Sequence, residues 1–282
     1  MFSVNNIRTI AHYERKILLR SWFFRIFAAL SLFIIGMYGG VTFFARNPFT
    51  WAFRSMPNGL IYSNMFLLNI FQSIIAVFLA TDFLKRDKKL NTSEVLFVRP
   101  MTNFEYITGK TFGLISVFIL LNVLVIVLTA VYEIISTQAA FELLPLLYYF
   151  FLVSIPTLVF IIGLSFALMT IIRNQPVTFI ILLGYIALIL FYLGDKVGYL
   201  FDYMVFVMPL PYSDIIGFSD LNYVLLHRIS YLLLGCGLIF FTAWSLNRLP
   251  NQRISRWNLG IVALLLLGAS AFGFFKMNFY NK

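Results

Sequence analysis

The sequence predicts an all-α polytopic membrane protein, on the basis of its composition, the lengths of its apolar runs and the placement of its basic residues. Of the 282 residues, 61% are hydrophobic and only 11% are charged. A soluble domain is typically about half apolar and about one quarter charged. The apolar surplus exceeds what a soluble core can bury, so part of it must face lipid.

Seven apolar runs have the length of a membrane-spanning helix, which needs about 20 residues at about 1.5 Å of rise each. The runs are continuous rather than alternating, which argues against the strands of a membrane β-barrel. We number them as spans one to seven. They are Trp22–Phe44, Leu60–Thr81, Thr111–Tyr132, Leu146–Ile172, Val177–Gly194, Tyr223–Leu246 and Trp257–Phe275.

The basic residues predict the orientation of these spans. With a cytoplasmic N-terminus, most of the 21 lysines and arginines fall on the inner side, which is the bias that membrane insertion follows. The inner set is Arg8, Arg15, Lys16, Arg20, Arg25, Lys85, Arg86, Lys88, Lys89, Arg99, Lys110, Arg173, Arg248, Arg253 and Arg256. The outer set is Arg46, Arg54, Lys196, Arg228, Lys276 and Lys282. The formal charge of +10 therefore indicates topology and attraction to anionic membrane lipids rather than nucleic-acid binding.

An amphipathic interfacial helix is predicted over Asn5–Ser21, before the first span. Its apolar stripe includes Ile10 and Leu18, while Arg8 lies on the polar face, a pattern that suits the membrane interface. Glu14 falls on the apolar stripe, where a carboxylate is costly unless it is paired. Two interpretations remain open for Glu14: it turns toward lipid headgroups, or it pairs with a basic residue across an interface.

The second span carries three amide side chains, Asn64, Asn69 and Gln72. At about 100° per residue, they spread over only about 140° of the helix. Amides in hydrocarbon need partners or water, so this face should point into the bundle or a cavity. Interhelical hydrogen bonding and the lining of a pathway are both open.

The loop at 82–109 is the one substantial cytoplasmic loop, and it is predicted to contain two short helices. Asn91 begins the first, and Thr102 with Glu105 fits the capping box that begins the second. Pro100 separates them, because the residue before a proline disfavours the helical conformation. A loop that merely connects two spans would not need such an element.

Prolines mark two irregular places in the predicted bundle. Pro156 should kink the fourth span. In the outer segment 195–222, Tyr199–Pro209 is strongly apolar but too short to cross the membrane, and Pro211 follows it. A re-entrant segment on the outer side, shielded by neighbouring protein, fits this pattern best.

The sequence contains no recognisable catalytic, metal or cofactor motif. Gly109-Lys110-Thr111 resembles the end of a phosphate-binding loop, but position 104 is Phe where that motif needs glycine. The single cysteine, Cys236, excludes an intrachain disulfide. Acidic residues lie almost wholly at the span ends, so no carboxylate relay for proton coupling is evident. If the protein transports a substrate, another chain should supply the energy.

Over roughly residues 5–246, the chain resembles the ABC transporter permeases with the type-2 transmembrane domain. The opening IRTIAHYERKILLRSWFF resembles the elbow helix of that family running into its first span. The loop RDKKLNTSEVLFVRPMTNFEYITGK resembles its coupling helix and the start of its third span. The matching loop positions are Arg86, Asp87, Thr92, Glu94, Arg99, Pro100, Tyr106, Gly109 and Lys110. The segment before the sixth span is similar to the family's re-entrant helices.

The resemblance implies a half-transporter of the bacterial cytoplasmic (inner) membrane, with a cytoplasmic N-terminus. Two permease copies, identical or different, would pair with a separate ABC ATPase, in two copies, that holds ATP and magnesium and drives export. The elbow residues implied are Glu14 and Arg20. The residues implied in ATPase coupling are Asp87, Thr92, Glu94, Leu96, Phe97, Arg99 and Pro100.

This organisation divides the chain into an elbow helix (1–21), a six-span core (22–246) and an addition (247–282). The addition, a basic inner loop and a seventh span, departs from the six-span family core and leaves open whether a further external domain follows. The alternative function is a membrane scaffold that uses an ATPase partner mechanically in envelope assembly, without passing a solute. An intramembrane enzyme is disfavoured, because no paired acid, base, nucleophile or metal cluster appears within the spans.

Overall fold

A computed structural model describes residues 3–44, 59–82, 101–135, 143–193, 198–206, 208, 220–246 and 253–280. This part of the chain is helical and contains no strand. The helices are α1 (Val4–Arg20), α2 (Trp22–Phe44), α3 (Gly59–Thr81), α4 (Asn103–Ile135), α5 (Leu143–Ile172), α6 (Gln175–Leu193), α7 (Leu221–Ser245) and α8 (Arg253–Tyr280). A short 3₁₀ turn at Gly198–Phe201 lies between α6 and α7.

Seven of these helices, α2 to α8, contain stretches long and apolar enough to cross a membrane. The protein is therefore an all-α polytopic membrane protein, as the apolar runs predict. The largest difference from the predicted bounds is α4, which has 33 residues and begins eight residues before the predicted third span.

Helices α3 and α5 form the centre of the bundle. Their apolar stretches are 67% and 72% buried, whereas those of α2, α6 and α8 are only 22% buried. The outward faces of these three helices carry exposed apolar side chains such as Phe33, Ile180 and Leu264. Such faces suit the hydrocarbon of a bilayer or another protein surface within it, because water does not solvate them favourably.

Helix α7 packs between α5 and α8, and α1 packs along the first part of α4. The crossing of α5 and α7 is close, since a Cβ atom on Gly163 would lie 2.5 Å from the carbonyl oxygen of Gly235. Small residues at such crossings let helix backbones approach, which is how membrane helices gain packing contacts.

Pro156, where the sequence predicts a kink, lies two residues after a π-helical turn at Tyr149–Ser154. The N–H of Ile155 donates to the carbonyl of Phe150, five residues earlier. A second π-helical turn, Ile189–Leu193, ends α6. Both turns lie at the end of the bundle opposite α1, which we call the far end.

Residues 198–206 enter the bundle at this far end. Tyr203, Met204 and Val205 are at most 1% exposed, and Val205 has a left-handed backbone with φ of 62°. The chain turns here while it is covered by neighbouring helices, as the re-entrant prediction requires. The prolines at 209 and 211 lie outside the described residues.

Candidate functional site

The predicted ATPase-coupling residues lie outside the described part of the chain. They are Asp87, Thr92, Glu94, Leu96, Phe97, Arg99 and Pro100. The description ends at Asp82 on one side of them and resumes at Met101 on the other. The structure therefore bears on the coupling hypothesis only through the residues that flank this segment, chiefly those at the start of α4.

The capping box predicted at Thr102 and Glu105 is present. The backbone N–H of Glu105 donates to the Thr102 hydroxyl at 3.1 Å, and the N–H of Thr102 donates to the Glu105 carboxylate at 3.0 Å. The helix that it begins is α4 itself, so the prediction of a separate short helix here is wrong. The helix runs on without interruption, since no proline follows between Asn103 and the third span.

The carboxylate of Glu105 also holds the beginning of α1. It accepts hydrogen bonds from the backbone N–H of Ser3 at 2.7 Å and from the Asn6 side-chain amide at 3.1 Å. One carboxylate therefore joins the first turns of two helices that are about 100 residues apart in sequence.

The apolar stripe of α1 packs against α4 rather than remaining available to lipid. A Cβ atom on Gly109 would lie 2.7 Å from the Ile10 Cβ, and one on Gly113 would lie 2.6 Å from the Glu14 Cβ. Two glycines one turn apart thus form the surface that accepts α1. Larger side chains at either position would push the two helices apart.

Glu14 forms an ion pair with Lys110 of α4. The Lys110 Nζ lies 3.3 Å from the Glu14 Oε2, and the two side chains are only 4% and 5% exposed, respectively. The Lys110 ammonium also lies 5.3 Å from the centre of the Tyr106 ring. Of the two interpretations of Glu14, pairing with a basic residue is the one observed. Sequence analysis did not identify Lys110 as the partner, although a lysine within the apolar approach to the third span was a signal for it.

We call this contact the elbow joint. It consists of Ser3, Asn6, Ile10 and Glu14 of α1 with Glu105, Gly109, Lys110 and Gly113 of α4. Arg20 lies in the last turn of α1 and is exposed, where a cation is favoured by the helix dipole. A functional role for Arg20 stays a prediction.

A second group of buried polar residues lies in the middle of the bundle. Asn64 of α3 donates to the Thr129 hydroxyl of α4 at 3.0 Å. Further along α3, the Gln72 amide donates to the Asn69 oxygen at 2.5 Å and accepts from Asn122 of α4 at 2.9 Å. All three amides predicted on the second span are thus engaged in hydrogen bonds within the chain.

Arg228 of α7 belongs to the same group. Its place on the outer side of the membrane stays a prediction, whereas its burial was not predicted. It is 1% exposed, and it donates to the carbonyl oxygens of Leu152, Val153 and Tyr203 at 2.5, 2.8 and 2.8 Å. It also donates to the Thr157 hydroxyl at 2.7 Å, which accepts from Asn69 at 3.1 Å as well. The buried guanidinium is therefore surrounded by acceptors, as a charge at this depth requires.

The acceptors exist because α5 is irregular at this point. In a regular helix the carbonyl of Leu152 would accept from the N–H of residue 156, but Pro156 has none. The π-helical turn and the proline therefore leave backbone oxygen available, and the guanidinium of Arg228 binds it. The signals in the sequence were an arginine within a predicted span and a proline within another.

The re-entrant residues complete this group, which we call the polar core: Asn69, Gln72, Asn122, Thr157, Asp202, Tyr203 and Arg228. The amide of Asn69 donates to the Met204 carbonyl at 2.9 Å. Asp202, 2% exposed, accepts from the N–H of Phe206 at 2.7 Å and from the N–H of Met208 at 3.3 Å. The polar core therefore joins α3, α4, α5, α7 and the re-entrant segment.

Neither site has the composition of a metal centre. Among the residues that the structure describes, no three His, Cys, Asp or Glu side chains are placed to hold a metal ion. No protein-family model matches the sequence, and no curated protein matches it either. The two sites themselves therefore carry the functional argument.

Proposed function

We propose that this chain is the transmembrane permease subunit of an ATP-driven ABC exporter of the bacterial inner membrane. A separate ATPase would bind ATP and magnesium, and the segment at 82–109 would dock on it from the cytoplasm. The permease would act as a pair of copies. The N-terminus and the elbow joint would then lie on the cytoplasmic side.

The observation that carries this proposal is the elbow joint. Helix α4 begins immediately after the predicted coupling residues, so a force on that segment reaches Asn103 first. The ion pair of Glu14 and Lys110 and the contacts of Glu105 fasten α1 to the same turns of α4. A partner that displaces the start of α4 would therefore move α1, and with it the first span, as one unit.

The nucleotide state of the ATPase can drive this displacement only if the ATPase binds the two conformations of the permease with different affinity. A partner shifts a two-state equilibrium by that difference in affinity. A rigid joint serves this purpose better than a flexible one, since little of the contact free energy is spent on ordering the helices. The burial of both charges of the joint supports this rigidity.

The alternative, a membrane scaffold that an ATPase uses mechanically, is favoured by one observation. One chain of hydrogen bonds links the polar-core side chains of Asn69, Gln72, Asn122, Thr157 and Arg228. In the described residues they therefore do not line a continuous polar path. In the exporter proposal, the path would instead lie between two permease copies.

Affinity purification of the tagged chain from native membranes tests the proposal. We expect the wild type to recover an ATPase, and Glu94→Lys or Leu96→Asp to lose it while remaining inserted in the membrane. Lys276→Gln, at the exposed far end of α8, is the control and should retain the ATPase. Recovery of no nucleotide-binding partner by the wild type, or full retention by both loop variants, would refute the coupling assignment.

A further inference from the structure

A groove of about 520 Å³ lies between four spans and the re-entrant segment. Helices α5, α6 and α7 supply most of its lining, and α8 and the 3₁₀ turn supply the rest. The lining includes one residue from each of these elements: Leu164 of α5, Tyr185 of α6, Leu234 of α7, Phe274 of α8 and Phe201 of the turn. Its volume is in the range of ligand pockets, about 300–1,000 Å³.

The lining contains no charged side chain. The Tyr231 hydroxyl is already bound, since it donates to the carbonyl of Leu200 at 2.7 Å. The ring of Tyr231 packs edge-on against Phe160 and Phe274, each with centroids 5.1 Å away. The Tyr185 ring stacks on that of Tyr203 at 5.6 Å. The walls therefore offer apolar and aromatic surface, which suits a ligand without charge.

The groove is continuous with the protein surface that contacts lipid. Ile181 and Phe201 on its lining are 47% and 43% exposed, and the neighbouring Ile180 and Phe272 are each 68% exposed. Its mouth thus opens between faces of α6 and α8 that lie at the depth of the spans. The surroundings at that depth are hydrocarbon, so a ligand that enters the groove from the bilayer must be apolar there.

We propose that the groove is a binding site for an acyl chain of a bilayer lipid, held between α6 and α8 more tightly than lipid on the open faces. Contact with walls on several sides gives a chain more dispersion contacts than a flat helix face does. Helix α8, the seventh span that the family resemblance leaves without a role, contributes Phe274 to the lining. The site does not depend on an ATPase partner.

Photo-crosslinking in vesicles tests this site. The purified chain is reconstituted in phosphatidylethanolamine and phosphatidylglycerol with a phosphatidylcholine probe that carries a diazirine on its acyl chain, and adducts are mapped by mass spectrometry. We expect adducts to concentrate on groove residues of α5 and α7. Leu164→Trp and Leu234→Trp, on two different helices, should each fill the groove and reduce those adducts about tenfold.

Leu264→Trp is the matched control, because Leu264 is 71% exposed on the lipid-facing side of α8, and it should leave the groove adducts unchanged. Adducts spread evenly over the exposed faces would overturn the proposal, as would groove adducts that persist in both folded tryptophan variants. The use of two helices keeps the test valid if one variant fails to fold. The readout is binding alone, so its outcome is separate from that of the ATPase proposal.

Discussion

Glu14 and Arg228 are buried charges that depend on particular partners. A buried ion pair contributes little net stability compared with apolar residues of similar size, but removing one member leaves a stranded charge at a cost of about 3–5 kcal/mol. Glu14 has Lys110 at 3.3 Å, and Arg228 has acceptors from two parts of the chain. The consequences of substitution should therefore differ between the two residues.

Substitution of Glu14 should destabilise the elbow joint through Lys110. We expect Glu14→Ala to lower the thermal stability of the purified protein, and Glu14→Ala with Lys110→Met to recover much of the loss, because the stranded ammonium is then removed. Arg8→Ala, on the exposed face of α1, is the control and should have little effect. Thermal unfolding in detergent provides the measurement. An unchanged stability for Glu14→Ala would contradict the pairing.

Substitutions that leave fewer hydrogen-bond donors at position 228 should destabilise the protein. Arg228→Lys keeps the charge but cannot reach acceptors on α5 and the re-entrant segment in the planar geometry of a guanidinium. We expect Arg228→Lys and Arg228→Gln both to reduce the yield of monodisperse protein in size-exclusion chromatography, whereas Lys276→Gln should not. A wild-type yield of monodisperse Arg228→Lys protein would show that the polar core does not need the planar guanidinium.

At the scale of elements, the glycines of α4 determine whether α1 can dock. Gly113→Leu should destabilise the joint by about 1–3 kcal/mol, because the new side chain overlaps with Glu14. Gly184→Leu on α6 is a matched control, since a Cβ atom there meets nothing within 4 Å. Limited proteolysis of α1 measures the difference. Equal protection of α1 in the two variants would contradict the contact.

The spans themselves were predictable because each is a run of about 20 apolar residues, a local property of the sequence. The cap that begins α4 was predictable from Thr102 and Glu105, but the continuity of this helix with the third span was not. Glu105 and Lys110 interrupt the apolar run, and they are buried only because other elements, α1 among them, cover them. The cost of an unpaired Glu14 could be read from the apolar stripe, but its partner could not, since Lys110 is 96 residues away. The burial of Arg228 could not be read from the sequence, because an arginine near the end of a span can also extend to the interface. The acceptors that hold it inside come from α5 and the re-entrant segment.

At the scale of the whole molecule, a crossing by each of the seven apolar helices of the described residues would place α1 and the end of α8 on opposite sides of the membrane. We expect new cysteines at Asn91 and Asn251 to be protected from impermeant thiol reagents in intact cells, and one at Asn278 to react. Cys236 should stay silent, because it lies half-buried within α7. Labelling of position 91 from outside would reverse the proposed orientation, and protection of position 278 would argue against a seventh crossing.

The central claim is that α1 and α4 move together when the partner changes its nucleotide state. Spin labels at positions 8, 112 and 173, which are exposed on α1, α4 and just after α5, report the relevant distances in the complex with its ATPase. We expect the distance between 8 and 112 to be the same with ATP and with ADP, while the distances from both to 173 change. A change between 8 and 112, or constant distances throughout, would contradict coupling through the elbow joint.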